Sequence, residues 1–394
     1  MKPLRISAYT AVSAVGHGRS AMLTALLEGR SGLTRQAFED STLGCYVGAV
    51  PSVATHALLG RWQDWDCRNN RLIDMALSGD DFEQSIARAR QRYGARQIGV
   101  FIGTSTAGLR QTELAYAARD PALGGLPDWY RYEKTQSTHS VAEFTRQRLG
   151  LASVCVASAA ACASSAKVFA SAARAIAAGV CEAAVVGGAD SLCLTTLYGF
   201  NALQLLSSDI CRPADVARNG LSLGEGAGFM LLEPARELGE LSLLGYGESS
   251  DAHHMSQPRP DGEGAVRAMR AAISRADLSG GAIDYINLHG TATPANDLAE
   301  DRAVCELLGT RTACSSTKGW TGHALGAAGI LEAVIACLAI ENGLIPQSLN
   351  TQVVDPALSA NIQRQTRRTK VFRVLSNSFG FGGANCSLVL GCSA

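Results

Sequence analysis

The chain has 394 residues, 47% of them hydrophobic and 18% charged, and its 35 Lys and Arg balance 35 Asp and Glu. That composition excludes a disordered chain, and zero net charge excludes a surface built throughout for nucleic acid or membrane, so any charged partner must meet a local patch. The 41 Gly and 11 Pro are spread along the chain and point to one compact α/β body rather than domains strung on linkers.

The opening Met1-Lys2-Pro3-Leu4-Arg5 leads into no signal-peptide core, and no uninterrupted apolar run of about 18 residues follows, so a cytoplasmic location without membrane insertion is expected. In chain order, residues 4–12 read as a buried strand, 20–28 as a helix and 98–103 as a second strand. Residues 164–179 read as an Ala-rich, wholly buried helix and 183–188 as a third strand. The alternation predicts a mostly parallel, helix-covered sheet. Between Phe229 and Glu240 a strand passes into a polar turn, and residues 241–246 start a fresh strand, which places a junction between halves 1–235 and 236–394. The second half echoes the first: a strand ending in a Gly/Thr turn (286–293, compare 100–106), an Ala-rich helix (326–340) and a closing strand (387–390). The echo is weak as a repeat and predicts two similar layers from a duplicated unit.

Four segments could carry chemistry. The twelve Cys include no C-x-x-C pair and read as reduced, mostly buried thiols. Cys162, in Ala159-Ala-Ala-Cys-Ala-Ser-Ser165, stands where a strand gives way to a helix; the positive end of the helix dipole would lower its pKa and favour the thiolate. A small core Cys is the plain alternative, and Cys155 fits that better. His289 closes an apolar strand in Asn287-Leu-His-Gly-Thr-Ala-Thr-Pro294, with Asp297 and Glu300 following. Lys318 and His323 lie in a Gly/Thr loop before a helix of small residues. Ser376-Asn-Ser-Phe-Gly-Phe-Gly-Gly-Ala-Asn385 is a Gly-rich turn whose N–H groups can approach a ligand, yet it lacks the Gly-Lys-Ser/Thr of a phosphate loop. No metal-ligand spacing is present, and His253-His254 face apart, so no metal is expected. A thiol, two imidazoles and a Lys in Gly-rich strand ends suit acyl transfer.

Taken in order, these segments resemble the β-ketoacyl-acyl carrier protein synthases of the Cys-His-His type, of the thiolase superfamily. The resemblance runs from the Val12–Gly16 opening and Glu28-Gly-Arg-Ser-Gly32 through Val186-Gly-Gly-Ala-Asp190, Gly224-Glu-Gly-Ala-Gly228 and the three motifs just described. It implies a five-layer αβαβα sandwich of two similar halves, 1–235 bearing the nucleophile and 236–394 bearing both His and the Lys. It further implies decarboxylative condensation of an acyl chain on Cys162 with malonyl-acyl carrier protein, in fatty acid or in polyene- or polyketide-type chain elongation. No cofactor of the protein's own is implied, the substrates riding on the carrier's phosphopantetheine.

By the same resemblance His289 and His323 promote decarboxylation, Lys318 is the active-site lysine, and Glu300 is the buried carboxylate that pairs with it. The backbone N–H groups of Cys162 and Phe381 form the oxyanion hole, with Phe381 in a gating loop. Thr106, Phe200, Thr291, Thr293 and Phe379 are expected around the substrate, and Arg68 and Arg71 on the surface that docks an acidic carrier. The partner is a second copy or a chain-length-factor-like homologue. Thiolases, which carry a second Cys in the C-terminal loop, fit less well because Asn377-Ser-Phe stands there and His323 is added. Initiating synthases use Cys-His-Asn, and a non-catalytic chain-length factor lacks the nucleophile. The short segment 206–213, Thr106 where a bulkier aliphatic is usual, and only five Lys fit a specialised polyene or polyketide pathway.

Overall fold

The structure, a computed structural model, describes residues 1–35, 38–39, 41–122 and 124–392. Ten strands carry the architecture: β1 (Leu4–Ser13), β2 (Ile98–Gly103), β3 (Cys155–Ser158), β4 (Ala183–Asp190), β5 (Gly226–Pro234), β6 (Leu241–Ser250), β7 (Tyr285–Asn287), β8 (Ala313–Ser315), β9 (Arg373–Gly380) and β10 (Ala384–Cys392). Their order is β8-β7-β9-β10-β6-β1-β5-β4-β2-β3, with the two-residue strand Asn361–Ile362 beyond β8. Reading outward from the centre, β6, β10, β9, β7 and β8 take the places of β1, β5, β4, β2 and β3, so each half lays down five strands in one pattern. Along this row of strands the halves meet where Leu4 opposes Leu243 and Arg5 opposes Ser242.

Seven of the helices among the described residues complete the layers: α1 (Arg68–Leu77), α2 (Phe82–Tyr93), α3 (Ser140–Arg148), α4 (Ser164–Ala177), α5 (Glu263–Arg275), α6 (Pro294–Leu308) and α7 (Ala328–Asn342). The central helices α4 and α7 each pack against strands of both halves. The first three helices cover the outer face of β1–β5, and α5 and α6 that of β6–β10. This is the expected five-layer αβαβα sandwich. Strand parity sorts the core residues: Phe101 joins the central cluster, whereas Val100 and Ile102 point to the outer helices.

One expectation changes. The sheet is mixed: β2 lies parallel to β3 and β4, and β7 to β8 and β9, but the other neighbours along the row of ten strands are antiparallel. A three-residue turn, Phe381–Gly383, joins β9 to β10, and so short a connection can serve only an antiparallel pair. The segment Leu325–Asn342 is, among the described residues, a helical stretch long and apolar enough to cross a bilayer, with mean hydropathy 1.6, but 83% of it is buried between the sheets. Its Ala and Gly residues let it approach α4 closely: a Cβ on Gly329 would stand 2.8 Å from Ala166 N. Strand β4 is interior, and the open edge of the first half is β3.

Candidate active site

The close approach of α4 and α7 brings their N-terminal ends together. Cys162 lies in the turn from β3 into α4, where Ala161 adopts φ +47°, a left-handed conformation costing an L residue roughly 1–2 kcal/mol. Ser164 Oγ braces the turn, donating to Ala161 O at 2.6 Å and accepting from Ala160 N at 2.9 Å. His323, just before α7, is clamped by its backbone: its N–H donates to Ser222 O at 2.8 Å and its carbonyl accepts from Gly224 N at 3.0 Å. That clamp sets His323 Nε2 3.0 Å from Cys162 Sγ. His289, after β7, presents its ring 5.4 Å from that of His323 at 83°, and 5.9 Å from Phe379.

The β9–β10 turn closes over these groups. Phe381 N–H is directed at the Cys162 thiol, and its ring lies 5.5 Å from Phe200. Gly380 must be Gly, since a Cβ there would sit 2.9 Å from Ala160 O and 3.1 Å from Cys162 N. Gly380→Ala should therefore push the turn off Cys162 and destabilise the fold by about 1–3 kcal/mol; urea midpoints read the second effect, and the rate of thiol alkylation at Cys162 the first. One cavity is lined by Cys162, His289, His323, Phe200, Phe379 and Phe381, with Thr291 and Thr293 on its wall.

Lys318 stands behind the cavity, 1% exposed, where it donates to the His289 carbonyl oxygen and to Glu332. Its carboxylate partner is thus Glu332 and not Glu300. Glu300 instead accepts from His289 N and Gly290 N, both at 2.8 Å, and from Asn377 Nδ2 at 3.1 Å, which shapes the turn that carries His289. Thr106 also departs from expectation. Its hydroxyl donates to buried Asp190 at 2.8 Å, in a cluster with Thr104 and Gly326 N, and it does not line the cavity. Arg68 is turned inward as a two-pronged pair with fully buried Glu225 at 2.7 and 2.6 Å. Arg71 is held by Asp66 at 2.7 and 2.6 Å and by Ala54 O. Neither guanidinium is free to dock a carrier, because carboxylates of the same chain already occupy both forks.

Comparison with known proteins agrees with this geometry. The family profile described as Beta-ketoacyl synthase, N-terminal domain, matches residues 78–237, and that of the C-terminal domain matches residues 241–352. The chain belongs to the β-ketoacyl synthase family. Over 407 residues it is 34% identical to 3-oxoacyl-[acyl-carrier-protein] synthase 2 of Vibrio harveyi, covering 96% of this chain and 95% of that one. Among solved structures it is similar to a ketosynthase (ApeO) in complex with its chain length factor (ApeC) from Xenorhabdus doucetiae, with TM-score 0.91, 32% identity and coverage of 100% and 98%. It is also similar to the ishigamide ketosynthase/chain length factor, with TM-score 0.89, 26% identity and full coverage of both chains.

Electrostatics in this synthase is ruled by burial. Burial pushes the Cys162 thiol up to about 12, outweighing Lys318 and the Phe381 N–H, which pull it down. The thiolate expected from the helix end alone is thus overridden, because a dry site penalises the anion more than a dipole favours it. Burial likewise holds both imidazoles well below 6.5, with the Lys318 ammonium adding to the effect. They are neutral at pH 7. Between their folded values and 6.5 the unfolded chain binds protons that the folded chain refuses, so the stability they contribute is complete above about pH 6.5 and is lost as pH falls. Glu300, pushed up to about 7 by burial, works in the opposite sense. Comparing urea midpoints of wild type and His289→Gln from pH 7 to pH 5 isolates the imidazole contribution: the wild type should lose more stability than the variant over that range.

Glu332 is the site residue that sequence reasoning passed over. A lone carboxylate inside the apolar helix Ile330-Leu331-Glu332-Ala333 was the available signal, since such a group needs a buried cation. Among the described residues His139, Glu143 and Cys155 also bring one ligand atom each within 4.8 Å of one another, but Arg146 grips the Glu143 carboxylate at 2.7 and 2.6 Å.

Proposed function

We propose that this synthase condenses a Cys162-bound acyl chain with malonyl-acyl carrier protein, in polyene- or polyketide-type chain elongation. The observation that carries the reading is the Cys162 thiol 3.0 Å from a neutral His323, with His289 beside it and Phe381 N–H above. The thiol attacks the carrier-bound thioester, its proton passing to the departing carrier thiol by way of His323. The oxyanion accepts from the N–H groups of Cys162 and Phe381 and collapses to the Cys162 thioester. Malonyl-carrier then loses CO2, and the resulting enolate oxygen accepts from the imidazole N–H donors of His289 and His323. The enolate carbon attacks the Cys162 thioester, and the tetrahedral oxyanion collapses to β-ketoacyl-carrier and expels the Cys162 thiolate, which takes a proton from solvent to restore the thiol. Residues 1–235 supply the nucleophile, and 236–394 the two imidazoles, Lys318 and Phe381. Phosphopantetheine enters only as part of the substrate.

His289→Ala removes one donor to a developing charge, which typically costs about 10²–10³ in rate. Decarboxylation of malonyl-carrier should fall by that factor while mass spectrometry still finds Cys162 acylated. Normal decarboxylation by the variant would overturn the role.

The same reading gives the synthase a partner subunit on the open edge of β3, whose residues are all half-buried and whose outer hydrogen-bonding edge is unpaired. The solved relatives named as a ketosynthase with its chain length factor, together with the short 206–213 segment, support a nucleophile-less homologue as that partner. A chain that is inactive alone and active when co-expressed with such a homologue would establish the pair; a stable, active homodimer by light scattering would remove it.

A further inference from the structure

The neutral net charge conceals a strong asymmetry. From Pro356 to the C-terminus, 39 residues contain no Asp or Glu but five cations, Arg364, Arg367, Arg368, Lys370 and Arg373. Since the whole chain has 35 of each sign, residues 1–355 hold 30 cations against 35 acids. Arg364, Arg367, Arg368 and Lys370 are exposed, and among the described residues none of the four takes part in an ion pair. The arginines are anchored by neutral oxygens instead: Arg364 on Gln352 O at 3.0 Å, Arg367 on Gln363 Oε1 at 3.2 Å and Arg368 on Asn342 O at 3.3 Å. Each keeps further N–H donors facing solvent.

Burial alternates along this strip. Arg368, Lys370 and Phe372 face out while Thr369 is half-buried and Val371 is buried, so the period of two sets two cations and an aromatic ring in one outward row. Phe372 is 54% exposed. Leu27, 39% exposed, lies nearby, because the carbonyl of its neighbour Leu26 accepts from Thr366 Oγ1 at 3.3 Å. Acids near the strip are already engaged: Asp284 accepts from Phe372 N and Arg373 N at 2.8 and 2.9 Å, Glu28 pairs with Arg30 at 3.2 Å, and Glu341, next to the Asn342 carbonyl that Arg368 holds, accepts from the Tyr9 hydroxyl.

The strip is also remote from the cavity. Arg367 and Arg368 pair with Leu344 and Ile345 immediately after α7, whose other end adjoins α4 near Cys162. Fifteen helical residues at about 1.5 Å each separate the two by roughly 22 Å. A carrier delivering a substrate to Cys162 has no need of this end of the molecule.

We propose that the strip is a membrane-docking face, its cations binding the phosphates of anionic lipids while Phe372 and Leu27 enter the headgroup boundary. An outward row that mixes cations with an exposed ring matches a flat layer having charge above and hydrocarbon below. An acidic protein would be met by the cations alone and would leave Phe372 without a role. Neither the condensation chemistry nor the partner subunit is needed for this proposal.

The test is flotation of the full chain with vesicles of 30% phosphatidylglycerol in phosphatidylcholine, against pure phosphatidylcholine, at low salt and at about 0.15 M. Binding is expected only to the anionic vesicles and should weaken with salt. At about 1 kcal/mol per basic residue, neutralising three with Arg367→Gln, Arg368→Gln and Lys370→Gln should lower the partition coefficient about a hundredfold. Phe372→Ser should lower it further, and turnover of soluble carrier substrates should be unchanged in both variants, which shows that they fold. No binding to anionic vesicles, or binding indifferent to these substitutions, would overturn the proposal. So would a charge-dependent complex with purified acidic carrier protein in the absence of vesicle binding.

Discussion

Cys162→Ala should reduce condensation to below about one-thousandth of wild type, since no other group can take over a nucleophile that works as a unit with its neighbours. The thiol at 3.0 Å from His323 Nε2 is the cysteine that lines the cavity. Cys155 sits in an edge strand outside that cavity, with burial pushing its thiol up to about 12. The variant should therefore show no mass increment from acyl-carrier donors. It should nevertheless still decarboxylate malonyl-carrier, because the enolate is stabilised by His289 and His323, which the substitution leaves in place. Loss of both activities together would mean that the thiol also serves decarboxylation. An acyl adduct at Cys155 in the variant would refute the nucleophile assignment.

The second large effect belongs to the ion pair behind the site. Lys318 and Glu332 are 1% and 3% exposed, so Glu332→Leu leaves a buried ammonium uncompensated and should cost about 3–5 kcal/mol. Against a typical total of 5–15 kcal/mol this brings the chain close to unfolding, and the urea midpoint should drop accordingly. The double variant Lys318→Met, Glu332→Leu removes both charges and replaces them with packed apolar groups. Its stability should return to near the wild-type value or above. Activity should not return with it, since Lys318→Met removes the hydrogen bond to the His289 carbonyl. A double variant as unstable as the single one would show that packing, and not charge, dominates at this position.

How much of this was legible beforehand follows from the range over which each signal acts. The strands at residues 98–103 and 241 onward, the buried helix starting at Ser164 and the two-fold grammar were readable because apolar periodicity and Gly/Thr turns are local properties of the chain. The positions of Cys162, His289, His323, Lys318 and the Gly-rich turn were readable for the same reason: each lies at an element boundary marked by small or breaking residues. What the chain could not disclose was partnership between segments far apart in sequence. The choice of Glu332 over Glu300 depends on which face of α7 meets Lys318, and both carboxylates lie in helical sequence with similar claims on a cation. Arg68 and Arg71 read as a carrier-docking surface until Glu225, 157 residues away from Arg68, closes on one of them. The lowered thiol pKa expected from a helix end depended on an isolated dipole, whereas the packed sandwich strips water from the thiol, which only tertiary burial can do, and that penalty on the anion prevails. The sequence by itself determined the elements and the chemical groups placed at their ends; the tertiary structure alone decided which charges pair and which protons stay bound, because pairing and desolvation are set by neighbours in space.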